Sequence, residues 1–372
     1  MDSSYHGRSS PSPWLKRSAL ISNPRTLKMY SPSRVWFITG TSSGLGKALT
    51  DLLLANGERV VATCRNPAAH DNLAAQYPDQ ILAYKLDVTK EDEIKVALAA
   101  GVKRFGRIDV VVNNAGIGLF GELEAVPEED ARYIMELQYW GPIHVMKEAA
   151  RIFREVNPKG SGGRLFNVST VGGYRANPTL TYYSASKFAL EASTQSFLQE
   201  MHPSWNIKGC ILEPGGFRSG WSTGHNSKIV PPHPAYTDPS NPTSLFRQAH
   251  GNFPYLGDPV KMAKAVIRLA DLSLGVRSEL PGLWVGEGVE KTVAEHMSSF
   301  GDSPIELPLR VQLGSESLFL VRMQAQNTLE DAKKWEWISH STNADDMDGE
   351  NYVKKYLMGS GAFDDVDKAV SD

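Results

Sequence analysis

Gly40-Thr41-Ser42-Ser43-Gly44-Leu45-Gly46 follows a short apolar run, Val35–Thr39, and leads into a helical stretch. Glycines let a chain turn tightly and approach a pyrophosphate, whose charge suits exposed N–H groups and the positive end of a helix. The glycines stand at 40, 44 and 46, a spacing other than G-x-G-x-x-G. A plain tight turn is the alternative, and the place of the loop between a first strand and a first helix favours the phosphate cradle. The second apolar run ends at Thr63-Cys64-Arg65-Asn66, with no acid to accept from a cofactor ribose hydroxyl. Arg65 suits a ribose 2′-phosphate instead, so NADP(H) is expected, with a solvated strand-end arginine as the alternative. Asp87 is placed either to accept from an adenine amino group or to close a turn. In Asn113-Asn114-Ala115-Gly116 small residues allow close approach to a ligand, and the asparagine can bond backbone on both sides of a crevice. Tyr183 is the only one of thirteen tyrosines with a lysine, Lys187, four positions on. The two share one helix face just beyond a strand end.

Those residues need a scaffold, and the surrounding pattern supplies one. Apolar runs at Val35–Thr39, Arg59–Thr63, Ile81–Leu86, Ile108–Asn113, Arg164–Val168 and Ile207–Leu212 read as strands buried on both faces. Leu45–Ala55, Lys90–Val102, Asp130–Glu155 and Ser184–Met201 between them are long enough for helices. Such alternation predicts a doubly wound α/β domain with a parallel sheet (the Rossmann fold), whose ligands bind beyond the carboxyl ends of the strands. Residues 1–33 read as a disordered extension, with a transit peptide or a misassigned start before Met29 as alternatives. Residues 34–325 read as the catalytic domain, and 326–372 as a C-terminal helix and acidic tail. Within the domain, 214–256 is rich in Pro and Gly and reads as a lid loop without regular structure.

The 39 basic and 42 acidic side chains leave a formal charge of -3, which disfavours a nucleic-acid binder. Two cysteines, Cys64 and Cys210, provide neither a disulfide framework nor a zinc cage, so a reducing, cytoplasmic compartment is expected. No histidine has a metal-ligand spacing, and no apolar run reaches the length of a membrane span.

Four motifs stand in order: T-G-x-x-x-G-x-G at 39–46, N-N-A-G at 113–116, Y-x-x-x-K at 183–187 and E-P-G-G at 213–216. In these the chain resembles the short-chain dehydrogenases/reductases, and most of all the small oxidoreductases similar to 17β-hydroxysteroid dehydrogenases and their fungal relatives. The resemblance runs over about residues 34–272 and returns at Leu307-Pro308-Leu309; 273–303 is either an insertion or mistranslated intron. It implies that Tyr183 exchanges a proton with a substrate oxygen while Lys187 eases its ionisation and holds the nicotinamide ribose. It implies too that Pro214, Gly215, Gly216 and Phe217 line the nicotinamide, with Ser219 near its amide. Thr170 stands where the family has a substrate-binding serine, with Ser169 as the alternative in a shifted register. Gln138 stands for the asparagine of a proton relay. Phe217, Trp221, Tyr236, Phe246, Phe253 and Tyr255 are candidate lid lining. The expected activity is NADP(H)-dependent interconversion of carbonyl and alcohol on a hydrophobic small molecule, steroid-like or from secondary metabolism. A catalytically weak NADPH-binding sensor or scaffold is the alternative. A homo-oligomer is expected at family level.

Overall fold

The computed structural model describes residues 34–220, 225–250, 252, 254–276, 283 and 304–353. They belong to two compact units, Met1–Ser317 and Leu318–Asp372. The strands are β1 (Val35–Thr39), β2 (Arg59–Cys64), β3 (Ile81–Lys85), β4 (Val110–Asn113), β5 (Gly118–Phe120), β6 (Gly163–Val168), β7 (Ile207–Pro214), β8 (Ser227–Ile229) and β9 (Arg310–Leu313). Seven of them form one parallel sheet in the order β3-β2-β1-β4-β6-β7-β9, the expected doubly wound fold. The order reverses between β1 and β4, which opens a crevice at their carboxyl ends.

The helices of the first unit are α1 (Gly44–Ala55), α2 (Asp71–Gln76), α3 (Glu91–Phe105), α4 (Glu128–Met135), α5 (Gly141–Arg151), α6 (Thr181–Gln199), α7 (Pro242–His250) and α8 (Pro259–Leu274). Strand β1 shows why the sheet is sandwiched. Trp36 and Ile38 pack with Leu49 and Leu53 of α1 and Val266 of α8, while Val35 and Phe37 pack with Ile94 and Leu98 of α3 and Val145 of α5. Both faces of the strand are therefore apolar, and its run is continuous rather than alternating. Helix α3 carries Glu91, Asp92 and Glu93 in its first turn and Lys103 and Arg104 in its last, matching the helix dipole. It stops at Gly106, whose φ of 80° a side chain would disfavour.

Four features depart from the sequence expectations. The stretch expected as one helix over Asp130–Glu155 is α4 and α5 joined by a π-helical turn, Glu136–Trp140, and closed by another, Ile152–Val156. The region 214–256 holds regular structure: β8 pairs in parallel with β5, and α7 follows. Three-residue strands carry too little pattern to be read locally. Strand β9 was also not foreseen; it extends the sheet beside β7 with Ile211 opposite Arg310. A third apolar cluster, Leu119, Phe120, Ile134, Leu180, Tyr183 and Val230 with Phe246 against it, packs the lid region onto α6.

Helix α9 (Ser315–His340) begins in the first unit, and its later turns with α10 (Gly349–Tyr352) make up the described part of the second. Trp335 and Trp337 are exposed there, with ring centroids 6.3 Å apart. Among the described residues no helix is long and apolar enough to cross a membrane. The extension 1–33, the end of the acidic tail and nearly all of 277–303 lie outside the described residues.

Candidate active site

The crevice at the switch point has a volume of about 270 Å³. Its walls include Gly40, Ser42, Ser43, Gly44 and Leu45 from the glycine loop, Arg65, Asp87, and Asn114, Ala115 and Gly116. Facing them are Gln138, Ser169, Thr170, Tyr183, Lys187, Pro214, Gly215, Phe217 and Ser219. Thus residues from four distant motifs meet in one place. Thr41, Gly46 and Gly216 are not wall residues, and each has a different task. Thr41 is buried, donates to the Thr63 carbonyl at 3.1 Å and lies 2.7 Å from His70 Nε2, so it braces the loop from behind. A Cβ on Gly46 would collide with the Gly40 carbonyl and with Asn114. The Gly216 amide donates to Glu316 Oε1 at 2.7 Å.

The cradle fits a dinucleotide. Gly40 has φ of 71°, and a Cβ on it would lie 2.8 Å from the Ala115 backbone, so only glycine permits this close turn. At the start of α1 the cap residue Ser43 makes no side-chain cap bond and the first turn holds no acid. The first N–H groups of the helix are thereby left to an anion from the crevice. Asn114 ties the two sides together, donating from Nδ2 to the carbonyls of Thr39 at 2.9 Å and Gly40 at 3.0 Å. Arg65 is exposed at the crevice rim at the end of β2. Of the acids nearest in sequence, Asp71 is exposed at the start of α2 and is no wall of the crevice, and Glu58 is buried at the other end of that strand and bonded to Arg34. Asp87 Oδ1 accepts from Thr89 N at 3.0 Å and from its hydroxyl at 2.9 Å, closing a turn while lining the crevice.

Tyr183 and Lys187 sit on the buried face of α6. Burial pushes the Tyr183 phenol up to about 12, partly offset by a hydrogen bond with Thr170. It pushes the Lys187 ammonium down to about 8, against the pull of Glu191. Lys187 Nζ donates to the Val168 carbonyl at 2.9 Å. The two candidate hydroxyls have different partners. Thr170 is the hydroxyl bonded to Tyr183, while Ser169 donates its own to Glu191 Oε1 at 2.5 Å. Gln138 lies in the π-helical turn after α4, a distortion that often marks functional positions. Its amide donates to Ser186 Oγ at 3.2 Å, and its oxygen lies where a Cβ on Gly116 would be.

Of the candidate lid aromatics, Phe217 lines the crevice. Tyr236 donates to Glu124 at 2.5 Å, Tyr255 packs on Gly216, and Phe246 joins the cluster that contains Tyr183. Trp221 and Phe253 lie outside the described residues. Sequence reasoning missed the apolar wall of Ile117, Leu137 and Met262, although two of these adjoin recognised motifs. It also missed Asn226, which lines the crevice and donates to Ser43 Oγ at 3.1 Å. The segment expected to form a lid is held through Arg247 of α7, which donates to Glu122 at 2.7 and 2.8 Å. Both cysteines are free and buried, and no described group of three His, Cys, Asp or Glu could hold a metal.

Comparison with known proteins agrees with this geometry. The sequence profile of the short chain dehydrogenase family matches residues 34–229. An uncharacterized oxidoreductase of Schizosaccharomyces pombe is 34% identical over 84% of this chain and 92% of its own. The oxidoreductase calM of Penicillium decumbens is 37% identical over 59% of this chain and 73% of its own. Among solved structures, a short-chain dehydrogenase from Streptomyces avermitilis superposes with a TM-score of 0.68 at 30% identity, covering 84% of this chain and all of that one. With the parallel sheet, the switch-point crevice and the ordered motifs, these matches make the chain a member of the short-chain dehydrogenase family of oxidoreductases.

Proposed function

We propose that this chain is an NADP(H)-dependent oxidoreductase that interconverts a carbonyl and an alcohol on a hydrophobic small molecule. The observation that carries the proposal is the meeting of Tyr183, Thr170 and Lys187 with the glycine loop and Arg65 in one crevice. Ser42, Ser43 and the first N–H groups of α1 hold the pyrophosphate, and Arg65 pairs with the 2′-phosphate. The chemistry supplied by the bound cofactor is hydride transfer. A phenol raised to about 12 stays protonated at neutral pH, so in reduction Tyr183 Oη is ready to give its proton to the substrate oxygen. Thr170 Oγ1, bonded to that phenol, orients it and the same oxygen. Lys187, with its pKa near 8, is largely an ammonium at pH 7. It holds the nicotinamide ribose and stabilises the phenolate left behind. Ile117, Leu137, Phe217 and Met262 give the crevice an apolar side, which supports a hydrophobic substrate. Two free, buried cysteines are consistent with a reducing compartment such as the cytoplasm.

NADPH oxidation against a panel of ketones, aldehydes, quinones and steroids tests the activity, and turnover on an apolar carbonyl is expected. Tight NADPH binding with no turnover on any member would favour the sensor alternative. Replacing Arg65 by Ala tests the cofactor. NADPH affinity should fall about tenfold or more, roughly 1.4 kcal/mol per tenfold, with NADH little changed. An equal effect on both cofactors would contradict the 2′-phosphate assignment.

A further inference from the structure

Glu191 lies one turn beyond Lys187 on α6, is 2% exposed, and was singled out by no motif. Its Oε1 accepts from Ser169, the residue beside Thr170, at 2.5 Å. Its Oε2 accepts from Arg310 Nε at 3.1 Å. That same nitrogen lies 3.3 Å from Glu213 Oε1 on β7, so two buried carboxylates share one guanidinium from β9. Gln312 donates to the other Glu213 oxygen at 2.9 Å, and Arg310 also reaches Gln195 Oε1 at 3.3 Å. A Cβ on Gly173 would occupy the space of the Ser169–Glu191 contact, so the turn after β6 is shaped around it.

We propose that Glu191 is a positioning residue of the catalytic site: it anchors the Ser169–Thr170 turn and, with Arg310, sets the charge of Lys187. The inference rests on Lys187 as the cofactor-holding lysine proposed above. The groups facing Glu191 are Ser169 from the turn after β6, Lys187 on its own helix, Glu213 from β7 and Arg310 from β9. Burial pushes the Glu191 carboxyl up to about 7, the Ser169 hydrogen bond and Arg310 pull it down, and Glu213 adds to the rise. Above neutrality it is mostly a carboxylate, and its charge opposes the burial that pushes Lys187 down. Loss of that charge moves the Lys187 titration to lower pH and releases the cofactor ribose earlier as pH rises.

The test is NADPH affinity, followed by cofactor fluorescence from about pH 6 to 9.5, for the wild type, Glu191→Gln, Ser169→Ala and Lys187→Met. Wild-type affinity should fall near pH 8 as Lys187 loses its proton. In Glu191→Gln, which keeps an acceptor for Ser169, the fall should come about one unit lower. Ser169→Ala removes a donor from Glu191 and should move the fall the same way, by less. Lys187→Met should abolish it. Superimposable wild-type and Glu191→Gln curves, or affinity lowered equally at every pH, would reduce Glu191 to packing and overturn the proposal. So would a fall near pH 8 that persists in Lys187→Met. No NADPH binding by the wild type would instead defeat the cofactor assignment itself, a result separable from the other two.

Discussion

At the amino ends of the strands, Arg34 is held by Glu58, with Nε to Oε1 at 2.7 Å, and by Asp271 at 2.7 Å, and the three side chains are 2%, 2% and 0% exposed. At the carboxyl ends, Arg310 lies 3.1 and 3.3 Å from Glu191 and Glu213, and its side chain is 27% exposed. Each cluster sets one arginine between two carboxylates, yet they are built for different work. Burial works against the charge of the Arg34 guanidinium, and two close carboxylates more than offset it. This triad ties the starts of β1 and β2 to the end of α8 and reaches no wall of the crevice. The upper one is looser, partly open, and wired through Ser169 to the active-site turn. Burial raises a carboxyl in both, Glu58 below and Glu191 above, so what differs is exposure and connection: the closed cluster fixes the frame, whereas the open one ties a raised carboxyl to the active-site turn.

Breaking each triad at its arginine exposes the contrast most sharply. Arg34→Met leaves two buried carboxylates facing each other and should cost about 3–5 kcal/mol, or prevent folding, in urea unfolding. Arg310→Met should cost less, about 1–2 kcal/mol, because its site is open to water on one side. Equal losses would remove the distinction between the two ends.

The Arg247–Glu122 clip gives a smaller, pH-dependent effect. Hydrogen bonds from Arg247 hold the Glu122 carboxyl down to about 2 from an ordinary 4.5. A depressed acid stabilises the fold above its unfolded pKa and loses that contribution as pH falls through the folded value. Wild-type stability should therefore decline between about pH 4.5 and 2 by a component that Glu122→Gln lacks. Parallel pH curves for the two proteins would show that the clip adds nothing to the stability of the fold.

What could be read in advance follows the range of the interactions. The glycine loop, Asn114, Tyr183 and Lys187 act through local backbone turns or a single helix face, so their spacing carries them. The sheet was legible because its central strands, β1 above all, are apolar on both faces. Strands β5 and β8 were not, since three residues each hold no period and their pairing joins positions about a hundred apart. Glu191 looks like any acid on a helix, and Arg310 lies far beyond the motifs. Only the placement of β9 beside β7 brings the two together. The different partners of Ser169 and Thr170 likewise depend on Glu191, which lies outside the motif window.

The central claim is that Tyr183 is the proton donor of a carbonyl reductase. NADPH oxidation by wild type and Tyr183→Phe, on the carbonyl the wild type turns over best, tests it most directly. The variant should lose at least about a thousandfold in kcat while binding NADPH as the wild type does. A variant that retains wild-type turnover would contradict the account.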